Sequence, residues 1–232
     1  MSPPARASSG RKAPGAGTAD RSGGAPAQVR ELRAQGRKTM QRLLDAALDV
    51  FERRGYHAAR VDDIVRVAKT SHGTFYLYFA NKEDLFRTLI AKVSTEMAEV
   101  TSALGPIGPS PDGYLALRGW IAQFSDVYAR HTTVIKAWTE AATDDGEFGS
   151  LGGEVAAGFM RTIYRRVKQA PPTTGVDPLV ATLALVAMVE RLHYYLLISR
   201  MEVDRDTMVD TLATIAHQGL FGSGQPGPAP GG

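Results

Sequence analysis

The stretch that decides the fold runs from Val61 to Leu85 and reads VDDIVRVAKTSHGTFYLYFANKEDL. In its first eight residues the apolar side chains recur three and four positions apart, which predicts one face of a helix about two turns long. Ser71 can cap a second short helix, in which Phe75 and Phe79 lie four residues apart on the same side. The other positions of this second helix are small, polar or amphipathic, so one face stays free of the core. Such a pair predicts a helix-turn-helix, whose second helix can enter the major groove of DNA.

A longer helix is predicted on either side of this stretch. Upstream, an apolar stripe between Arg37 and Arg54 ends at Gly55, and glycine commonly terminates helices. Downstream, Asn81 can cap a helix that carries apolar residues as far as Leu104. At roughly 1.5 Å per residue this helix would be on the order of 35 Å long, enough to leave the small head and enter a second domain.

Beyond a break at residues 105–111, GPIGPSP, the pattern predicts only helices. Their expected ranges are about 113–130, 132–143, 148–167, 178–199 and 205–220. The predicted fold is therefore all-α with about nine helices: a three-helix helix-turn-helix head at 35–84 and a helical-bundle body at 85–221. Residues 1–34 are predicted to be a disordered basic arm, and residues 222–232 a flexible tail.

Composition excludes several classes of protein. The 232 residues are 44% apolar, which suffices for a core, and the absence of cysteine excludes disulfides, thiolate metal sites and a cysteine nucleophile. The longest apolar run, Leu179–Val189, is followed by Glu190 and Arg191, and such charges argue against a membrane-spanning helix. The basic N-terminus lacks the apolar segment of a secretory signal. We therefore expect a cytoplasmic protein without a membrane partner.

Positive charge is concentrated at the N-terminal end. Residues 1–38 carry eight basic and two acidic side chains, whereas the whole chain has a net charge of only +3. A basic segment beside a helix-turn-helix is typical of a module that binds a polyanion. Two interpretations of the basic arm stay open: a solubilising tail, or a segment that contacts phosphates or the minor groove beside the main site.

A series of landmark residues extends the pattern over about fifty positions of the chain. They are Phe51, Gly55-Tyr56, Val61, Asp63-Ile64, Ala68, Ser71, Gly73-Thr74-Phe75-Tyr76, Tyr78-Phe79, Asn81-Lys82-Glu83 and Leu85. In this order they resemble the tetracycline-repressor (TetR) family of bacterial one-component regulators. The resemblance implies a three-helix DNA-binding head, a helical body that binds a ligand and dimerises, and release of the operator when a small molecule binds.

The same resemblance assigns the contacts to DNA. The predicted set is Lys38, Thr39, Arg60, Ser71, His72, Gly73, Thr74, Tyr76, Leu77, Tyr78 and Lys82. Tyr78 and Lys82 would contact phosphates where the recognition helix ends, and Lys38 or Thr39 would do so at the first helix. The side chains of 72–77, apart from the buried phenylalanine, would face base edges, where an aromatic ring or a leucine can meet a thymine methyl group. The alternative for the tyrosines is that they only pack on the head.

Two residues depart from the family pattern. Lys69 stands where the family usually has glycine in the turn, which predicts a strained backbone at this position. Arg60 stands where a threonine or serine often caps the second helix. Neither departure breaks the hydrophobic pattern, so both concern operator affinity more than the fold. In the body, the segment 190–195, ERLHYY, resembles the subgroup that includes the mycobacterial ethionamide-resistance repressor, whose pocket is a long apolar channel.

A ligand pocket is predicted where aromatic residues converge in the body. The candidate lining residues are Trp120, Phe124, Tyr128, Trp138, Phe159, Met188, Glu190 and Tyr194. Such sites are mostly apolar with few polar anchors, for which His131, Glu190, Arg191 and His193 are the candidates. For each aromatic residue the alternative is a place in the ordinary core, and for each charge an ion pair with a neighbouring helix.

The sequence as a whole predicts a homodimeric, nucleoid-associated transcriptional regulator, in the first place a repressor, that leaves a palindromic operator when a small apolar effector binds. Dimerisation is expected through the last two helices, because the helix from Pro178 is apolar nearly all round and two heads must reach grooves about one helical turn, roughly 34–36 Å, apart. No cofactor, metal or enzymatic activity is expected. The alternative is a helical binding protein or enzyme for hydrophobic small molecules with a degenerate DNA-binding head.

Overall fold

Nine α-helices account for most of the part of the chain that the structure describes. In this computed structural model that part comprises residues 27–144, 146–199 and 201–222. The helices are α1 (Ala27–Ala58), α2 (Val61–Val67), α3 (His72–Tyr76), α4 (Lys82–Ser102), α5 (Pro111–Arg130), α6 (Thr132–Asp144), α7 (Gly146–Gln169), α8 (Pro178–Ser199) and α9 (Arg205–Phe221). These ranges contain no strand, and the predicted all-α fold is confirmed.

The first helix begins earlier than predicted. The structure has helix from Ala27, so the predicted disordered arm is wrong for residues 27–34, whereas residues 1–26 lie outside the described part. The segment AQVRELRA is polar, but alanine, arginine, leucine, glutamate and glutamine all have high helix propensity. The chain divides into two units, Met1–Thr39 and Met40–Gly232. In the first unit the structure describes only the helical residues Ala27–Thr39, and the contacts described below all lie in the second.

The predicted end of the first helix is confirmed. At Gly55 the backbone has φ 74° and ψ 168°, which interrupts the helix although a further turn follows as far as Ala58. A positive φ costs glycine almost nothing, whereas a side chain would make it unfavourable. The chain can therefore turn sharply at Gly55 and bring Tyr56 into the head as a buried residue.

The short helices of the head are held by one cluster of buried side chains, which we call the head core. Its members are Leu43, Leu44, Ala46, Ala47, Val50, Phe51, Tyr56, Ala59, Ile64, Val65, Ala68, Phe75, Phe79, Leu85, Phe86, Leu89, Ile90, Val93, Val134, Ala137, Ala141 and Phe148. The cluster includes the first half of α4, three residues of α6 and Phe148 of α7. The predicted boundary between residues 84 and 85 therefore divides a continuous core, since α4 packs as part of the head as far as Val93.

A second cluster, the body core, joins the later helices. It contains buried side chains from α5, α7, α8 and α9, with Leu117, Ile121, Ile163, Val189 and Leu212 among them. Helix α5 packs along α9, and α7 contacts α4, α6 and α8. The body is thus a helical bundle that shares α4, α6 and α7 with the head core.

Helix α8 is buried along only one side. Val189 and His193 are buried, whereas Val180 and Tyr195 expose 61% and 57% of their surface. Leu179 and Leu183 of the same helix and Ile215 of α9 are also exposed. Large apolar side chains are usually covered in a folded protein, so this exposed set, which we call the α8 stripe, indicates a surface that packs against something else.

Candidate functional site

The turn between α2 and α3 is built around Lys69. The amide of Lys69 donates to the carbonyl of Arg66 and the amide of Thr70 to that of Val65, at 3.2 and 3.0 Å. This pattern ends a helix and requires a left-handed residue, which is usually glycine. Lys69 has φ 49°, and no other non-glycine residue of the described part has a positive φ. The strain predicted at this departure from the family pattern is confirmed.

Helix α3 is anchored on one side and open on the other. The Ser71 side chain accepts a hydrogen bond from the Thr74 amide at 3.1 Å, which caps the helix as predicted. Phe75 is fully buried in the head core. On the opposite side Tyr76 and Leu77 expose 57% and 81% of their surface. Two large apolar side chains kept in solvent beside a buried phenylalanine give α3 the free face that the sequence predicts.

Polar groups of α2 fix the surroundings of that face. The imidazole Nε2 of His72 lies 2.6 Å from Oδ1 of Asp62. The buried Asp63 carboxylate pairs with Arg54 at 3.1 Å and also with Arg66. Arg60 precedes α2 without a side-chain capping bond, as expected where serine or threonine is replaced. The acidic residues of α2 thus orient side chains of α1 and α3 instead of standing free beside the open face.

The start of α4 is tied to the end of α1. Asn81 caps α4 by accepting from the Asp84 amide at 2.8 Å. The ammonium of Lys82 donates to the Tyr56 carbonyl at 3.0 Å and lies 4.3 Å from the centre of the Tyr56 ring. Partial burial lowers the pKa of Lys82, although the neighbouring Glu83 opposes this shift. One of the three donors of this ammonium is used inside the head, so a phosphate contact by Lys82 would use the others.

The remaining predicted DNA contacts have different settings. Tyr78 is partly buried and packs against the head core. Gly73 is exposed, and a Cβ there would meet only the Ser71 hydroxyl, so its backbone lies open to a partner. Lys38 and Thr39 belong to the N-terminal unit, and their contact with DNA stays a prediction.

A cavity of about 680 Å³ lies in the body between α4, α5, α6, α7 and α8. Five predicted residues line it: Phe124, Tyr128, Trp138, Phe159 and Glu190. Arg191, a predicted anchor, also lines it. The lining residues that sequence reasoning missed are Val93, Ser94, Met97, Ile135, Thr139, Ala142, Thr143, Phe148, Gly149, Gly152, Val155, Ala156, Met160, Leu183, Val186 and Ala187. A cavity of this size and apolar character suits a drug-sized ligand.

Three predicted lining residues lie elsewhere. Trp120 is almost fully buried in the body core, with its ring centre 5.7 Å from that of Phe159, so it stands behind the cavity wall. Met188 lines a separate shallow groove on α8. Tyr194 is partly buried under the guanidinium of Arg191, which lies 5.2 Å from its ring centre. Successive residues of a helix point about 100° apart, so only part of an aromatic-rich helix can face one cavity.

Two hydroxyl groups at the cavity have no hydrogen-bond partner within the described residues. They belong to Ser94 and Tyr128, and both oxygen atoms are buried. Burial raises the pKa of Tyr128, and the nearby Glu190 carboxylate raises it further. The charged pair Glu190 and Arg191, 3.7 Å apart, is partly exposed and lies where the cavity meets the surface.

Helix α6 contacts the cavity and the head at the same time. Trp138 and Ala142 line the cavity, whereas Ala137 and Ala141 belong to the head core. The Trp138 indole also donates to the Phe148 carbonyl at 3.0 Å, and Phe148 is shared by the cavity wall and the head core. A change in the cavity therefore has a direct packed route into the head.

A second contact from α6 holds the end of α1. The Glu140 carboxylate accepts a hydrogen bond from the Tyr56 amide at 3.0 Å, and the Glu140 carbonyl lies 3.2 Å from Nε2 of His57. A Cβ at Gly55 would come within 3.0 Å of Glu140 Oε2, so glycine allows this close approach. We call this contact the α1–α6 clasp. Through Tyr56 it also reaches Lys82 at the start of α4.

Comparison with known families identifies the head. Residues 43–89, from the middle of α1 to the first half of α4, match the model of bacterial regulatory proteins of the tetR family. The chain belongs to the tetR family. The match covers the turn at Lys69 and the open face of α3, so these two features of the head fall inside the matched domain of this tetR-family chain.

Similarity to individual proteins extends beyond the head. The HTH-type transcriptional repressor NicS of Pseudomonas putida is 32% identical over 141 residues, which cover 56% of this tetR-family chain and 63% of NicS. The chain spans between 34% and 63% of the first curated relatives that it matches. The similarity therefore identifies the family and does not by itself assign the ligand.

Solved structures share the fold over more of the chain. The fatty acid degradation regulator FadR from Bacillus halodurans superposes with a TM-score of 0.65 at 20% identity, covering 78% of this tetR-family chain and 96% of FadR. FadR from Bacillus subtilis in complex with stearoyl-CoA gives a TM-score of 0.61 at 20% identity, covering 77% and 98%. At this identity the similarity shows the fold of head and body.

Both histidines predicted as ligand anchors in the tetR-family body make hydrogen bonds to other residues of the chain. His193 is buried, donates from Nδ1 to the Val189 carbonyl at 2.6 Å, and lies 2.7 Å from the Ser125 hydroxyl. Burial lowers the pKa of His193, although the bond to Val189 opposes this. His131 pairs with Glu96 at 2.9 Å, a bond that lowers the pKa of Glu96. Within the described residues no three histidine or carboxylate side chains cluster as a metal site.

One described helix of this tetR-family chain is long and apolar enough to cross a membrane. It is Pro178–Leu196, most of α8, and 28% of this segment is buried inside the structure. Core helices of globular proteins can be equally long and apolar, so these two properties do not by themselves indicate a membrane. The segment coincides with the exposed α8 stripe.

Proposed function

We propose that this chain is a transcriptional repressor that binds a palindromic operator through α3 and releases it when a small apolar molecule occupies the cavity. The observation that carries the proposal is the exposure of Tyr76 and Leu77 beside the buried Phe75. A head that only supported a binding protein would gain nothing from two large apolar side chains in solvent. The major groove offers them thymine methyl groups and the edges of bases. The protein would act in the bacterial cytoplasm, at the nucleoid.

The first experiment selects DNA fragments that the full chain binds, followed by footprinting and mobility-shift titration. Tyr76→Ala and Leu77→Ala should each weaken binding to the selected site by about tenfold or more, because each removes a base-edge contact. Leu115→Ala is the matched control, since Leu115 is an apolar residue on α5 that exposes 59% of its surface, close to the 57% of Tyr76. Equal effects of all three variants would contradict the role of α3 and favour the alternative of a binding protein with a degenerate head.

Phosphate contacts are proposed for Lys82. Lys82→Ala should weaken binding to every DNA sequence and reduce the slope of log affinity against log salt by about one unit, because one fewer counterion is released. Lys92→Ala is the control, because Lys92 is an exposed lysine further along the same helix. An unchanged salt slope would show that Lys82 serves only the Tyr56 carbonyl.

A second copy of the chain is proposed to cover the α8 stripe. The exposed residues Leu179, Val180 and Leu183 lie in a run without charges, and Ile215 of α9 extends the apolar surface. A dimer through α8 and α9 would pair two heads, as a palindromic operator with half-sites roughly 34–36 Å apart requires. The charges of Glu190 and Arg191 at the end of the run disfavour a lipid environment.

The dimer is tested by sedimentation at micromolar concentration. The wild-type chain should sediment as a dimer, and Val180→Glu should sediment as a folded monomer, because the charge would be buried without a partner. Leu115→Glu serves as the control and should leave the dimer unchanged. A monomeric wild-type chain would overturn this part of the proposal.

Release of DNA is proposed to pass through α6. A molecule in the cavity contacts Trp138 and Phe148, which also pack on the head, and α6 carries Glu140 of the α1–α6 clasp. The effector has to favour a conformation in which the heads fit the operator less well, since only a difference in affinity shifts an equilibrium. The long helix α4, which belongs to both cores, is the element that would swing.

A further inference from the structure

The polar groups of the cavity select the chemistry of the molecule that it binds. Four hydroxyl-bearing residues line it: Ser94, Tyr128, Thr139 and Thr143. The threonine hydroxyls donate to carbonyls of their own helix, at 3.0 Å to Ile135 and 3.1 Å to Thr139. Those two groups are therefore satisfied without a ligand. Ser94 and Tyr128 are the two that keep a hydrogen bond to offer.

Tyr128 is the better defined of the two. Its side chain is 95% buried, since only 5% of the residue surface is exposed, and its hydroxyl finds no acceptor among the described residues. A buried donor without a partner is unfavourable, and such groups in native structures usually meet a ligand or water. Glu190 and Arg191 line the same cavity as Tyr128. The raised pKa of Tyr128 keeps its hydroxyl a proton donor.

Ser94 differs from its neighbours on α4 in the same way. The hydroxyls of Thr95 and Thr101 donate to the carbonyls four residues earlier, each at 2.8 Å. The buried Ser94 oxygen makes no such bond, nor any other within the described residues. It therefore provides a second small polar point on an otherwise apolar wall.

The charges of the cavity oppose an ionic ligand. Glu190 and Arg191 are the only charged residues among the described lining residues, and they pair with each other. The Arg191 guanidinium also stacks on Tyr194. The side chains of Arg191 and Glu190 expose 69% and 45% of their surface, so separating them costs little, but the described lining offers no buried cation to a carboxylate or phosphate held in the apolar interior. Such an ion would lose its hydration without a charged partner, whereas a neutral molecule avoids this cost.

We infer that the effector is an uncharged, largely apolar molecule with one hydrogen-bond acceptor, a carbonyl or hydroxyl oxygen, that accepts from Tyr128 with Ser94 as a secondary contact. This inference rests on the proposed function, because it treats the cavity as the effector site. It separates this chain from an acyl-CoA-binding arrangement such as that named for FadR of Bacillus subtilis, whose ligand carries phosphates.

Calorimetry on the full chain with two probes of equal length tests the inference. The probes are 2-decanone, which is neutral and carries one carbonyl, and decanoate, which is anionic. The wild-type chain should bind 2-decanone at least about tenfold more tightly than decanoate. Tyr128→Phe should lower the affinity for 2-decanone by about five- to tenfold, and Ser94→Ala should lower it by less, because each variant removes one hydrogen-bond donor.

Two variants provide the controls. Tyr164→Phe removes a hydroxyl on α7 away from the cavity and should leave the affinity for 2-decanone unchanged. Arg191→Ala tests the alternative that the Arg191 guanidinium binds the charged group of an anionic ligand. If decanoate binds more tightly than 2-decanone and Arg191→Ala abolishes that binding, the ligand is anionic and the inference is wrong. Equal binding of 2-decanone to the wild-type chain and Tyr128→Phe would also overturn it.

Failure of this inference can be told from failure of the proposed function. Direct calorimetry measures the cavity without DNA, and a separate mobility-shift titration measures operator binding with and without each probe. Operator release by decanoate through Arg191 would refute the neutral ligand while supporting the regulator. Binding of 2-decanone through Tyr128 without operator release would support the ligand chemistry and refute the proposed coupling.

Discussion

The head and the body of this protein use apolar residues in opposite ways. In the head, Phe75 and Phe86 are fully buried, and the most exposed large apolar side chains are Tyr76 and Leu77 on the open face of α3. In the body, a 680 Å³ cavity interrupts the packing and the α8 stripe stays exposed. A closed core holds a rigid reading surface, whereas a core with a cavity can adapt to an occupant. This difference fits the proposed division of roles, in which the head contacts DNA and the body responds to a ligand.

The sharpest test of this difference is one truncation on each side. Phe86 lies 4.6 Å from the Tyr56 ring centre and 5.3 Å from that of Phe148, and it is fully buried. Phe86→Ala should lower the free energy of unfolding by about 3–5 kcal/mol, because the head core cannot fill the space. Phe159→Ala, at the cavity wall, should cost less than about 2 kcal/mol, because it is only partly buried beside existing space. Chemical denaturation measures both, and equal losses would contradict the contrast.

The α1–α6 clasp connects the two regions, so breaking it should separate them. Glu140→Ala removes the acceptor of the Tyr56 amide and should lower the free energy of unfolding by about 1–3 kcal/mol. The ratio of operator affinities without and with effector should also fall toward one, because the coupling is lost. Glu140→Gln keeps an acceptor oxygen and should stay close to the wild-type chain in both measurements. If the alanine variant kept the full ratio, the clasp would be excluded as the connection.

The turn at Lys69 should respond in the stabilising direction. Lys69→Gly removes the strain of holding a residue with a side chain in the left-handed conformation. This gain should exceed the loss from the greater conformational entropy of glycine in the unfolded chain, so the free energy of unfolding should rise by about 0.5–1 kcal/mol. Lys69→Ala keeps the strain and should not stabilise the head. Thermal unfolding of the three proteins distinguishes them, and a destabilised glycine variant would show that the lysine side chain makes a contact worth more than the strain.

The smallest effect is expected from His193. Burial lowers its pKa below the ordinary value of 6.5, so the unfolded chain takes up a proton that the folded chain excludes. The resulting stabilisation is fully present above the unfolded pKa and is lost as the pH falls toward the folded one. The free energy of unfolding should therefore fall from about pH 8 to about pH 5, more steeply in the wild-type chain than in His193→Gln. Parallel curves would exclude His193 as the titrating group.

The head could be predicted from the sequence almost to the residue. Its apolar spacing fixes which side chains point inward, its caps Ser71 and Asn81 fix where helices begin, and the turn requires a left-handed residue at Lys69. Local rules of this kind act over a few residues, so one stretch of sequence contains them. The early start of α1 was not predicted, because the high helix propensity of residues 27–34 outweighs their polar composition.

The cavity could be predicted only in part, because it depends on how distant helices pack. Phe124, Tyr128 and Phe159 face it, but Trp120, equally aromatic and equally placed on α5, lies behind them. The small residues Gly149, Gly152 and Ala156 of α7 form its wall by leaving space, and no motif distinguishes them from ordinary helix residues. Membership of α6 in the head core likewise requires the tertiary structure.

The different settings of the two tryptophans give the protein a built-in optical reporter. Trp138 borders the cavity and donates its indole hydrogen to the Phe148 carbonyl, whereas Trp120 is sealed in the body core. The chain has no other tryptophan. Replacing Trp120 by phenylalanine would leave Trp138 as the single tryptophan, at the junction of head and body. Its emission wavelength and fluorescence intensity would then report occupancy of the cavity in real time without an attached dye.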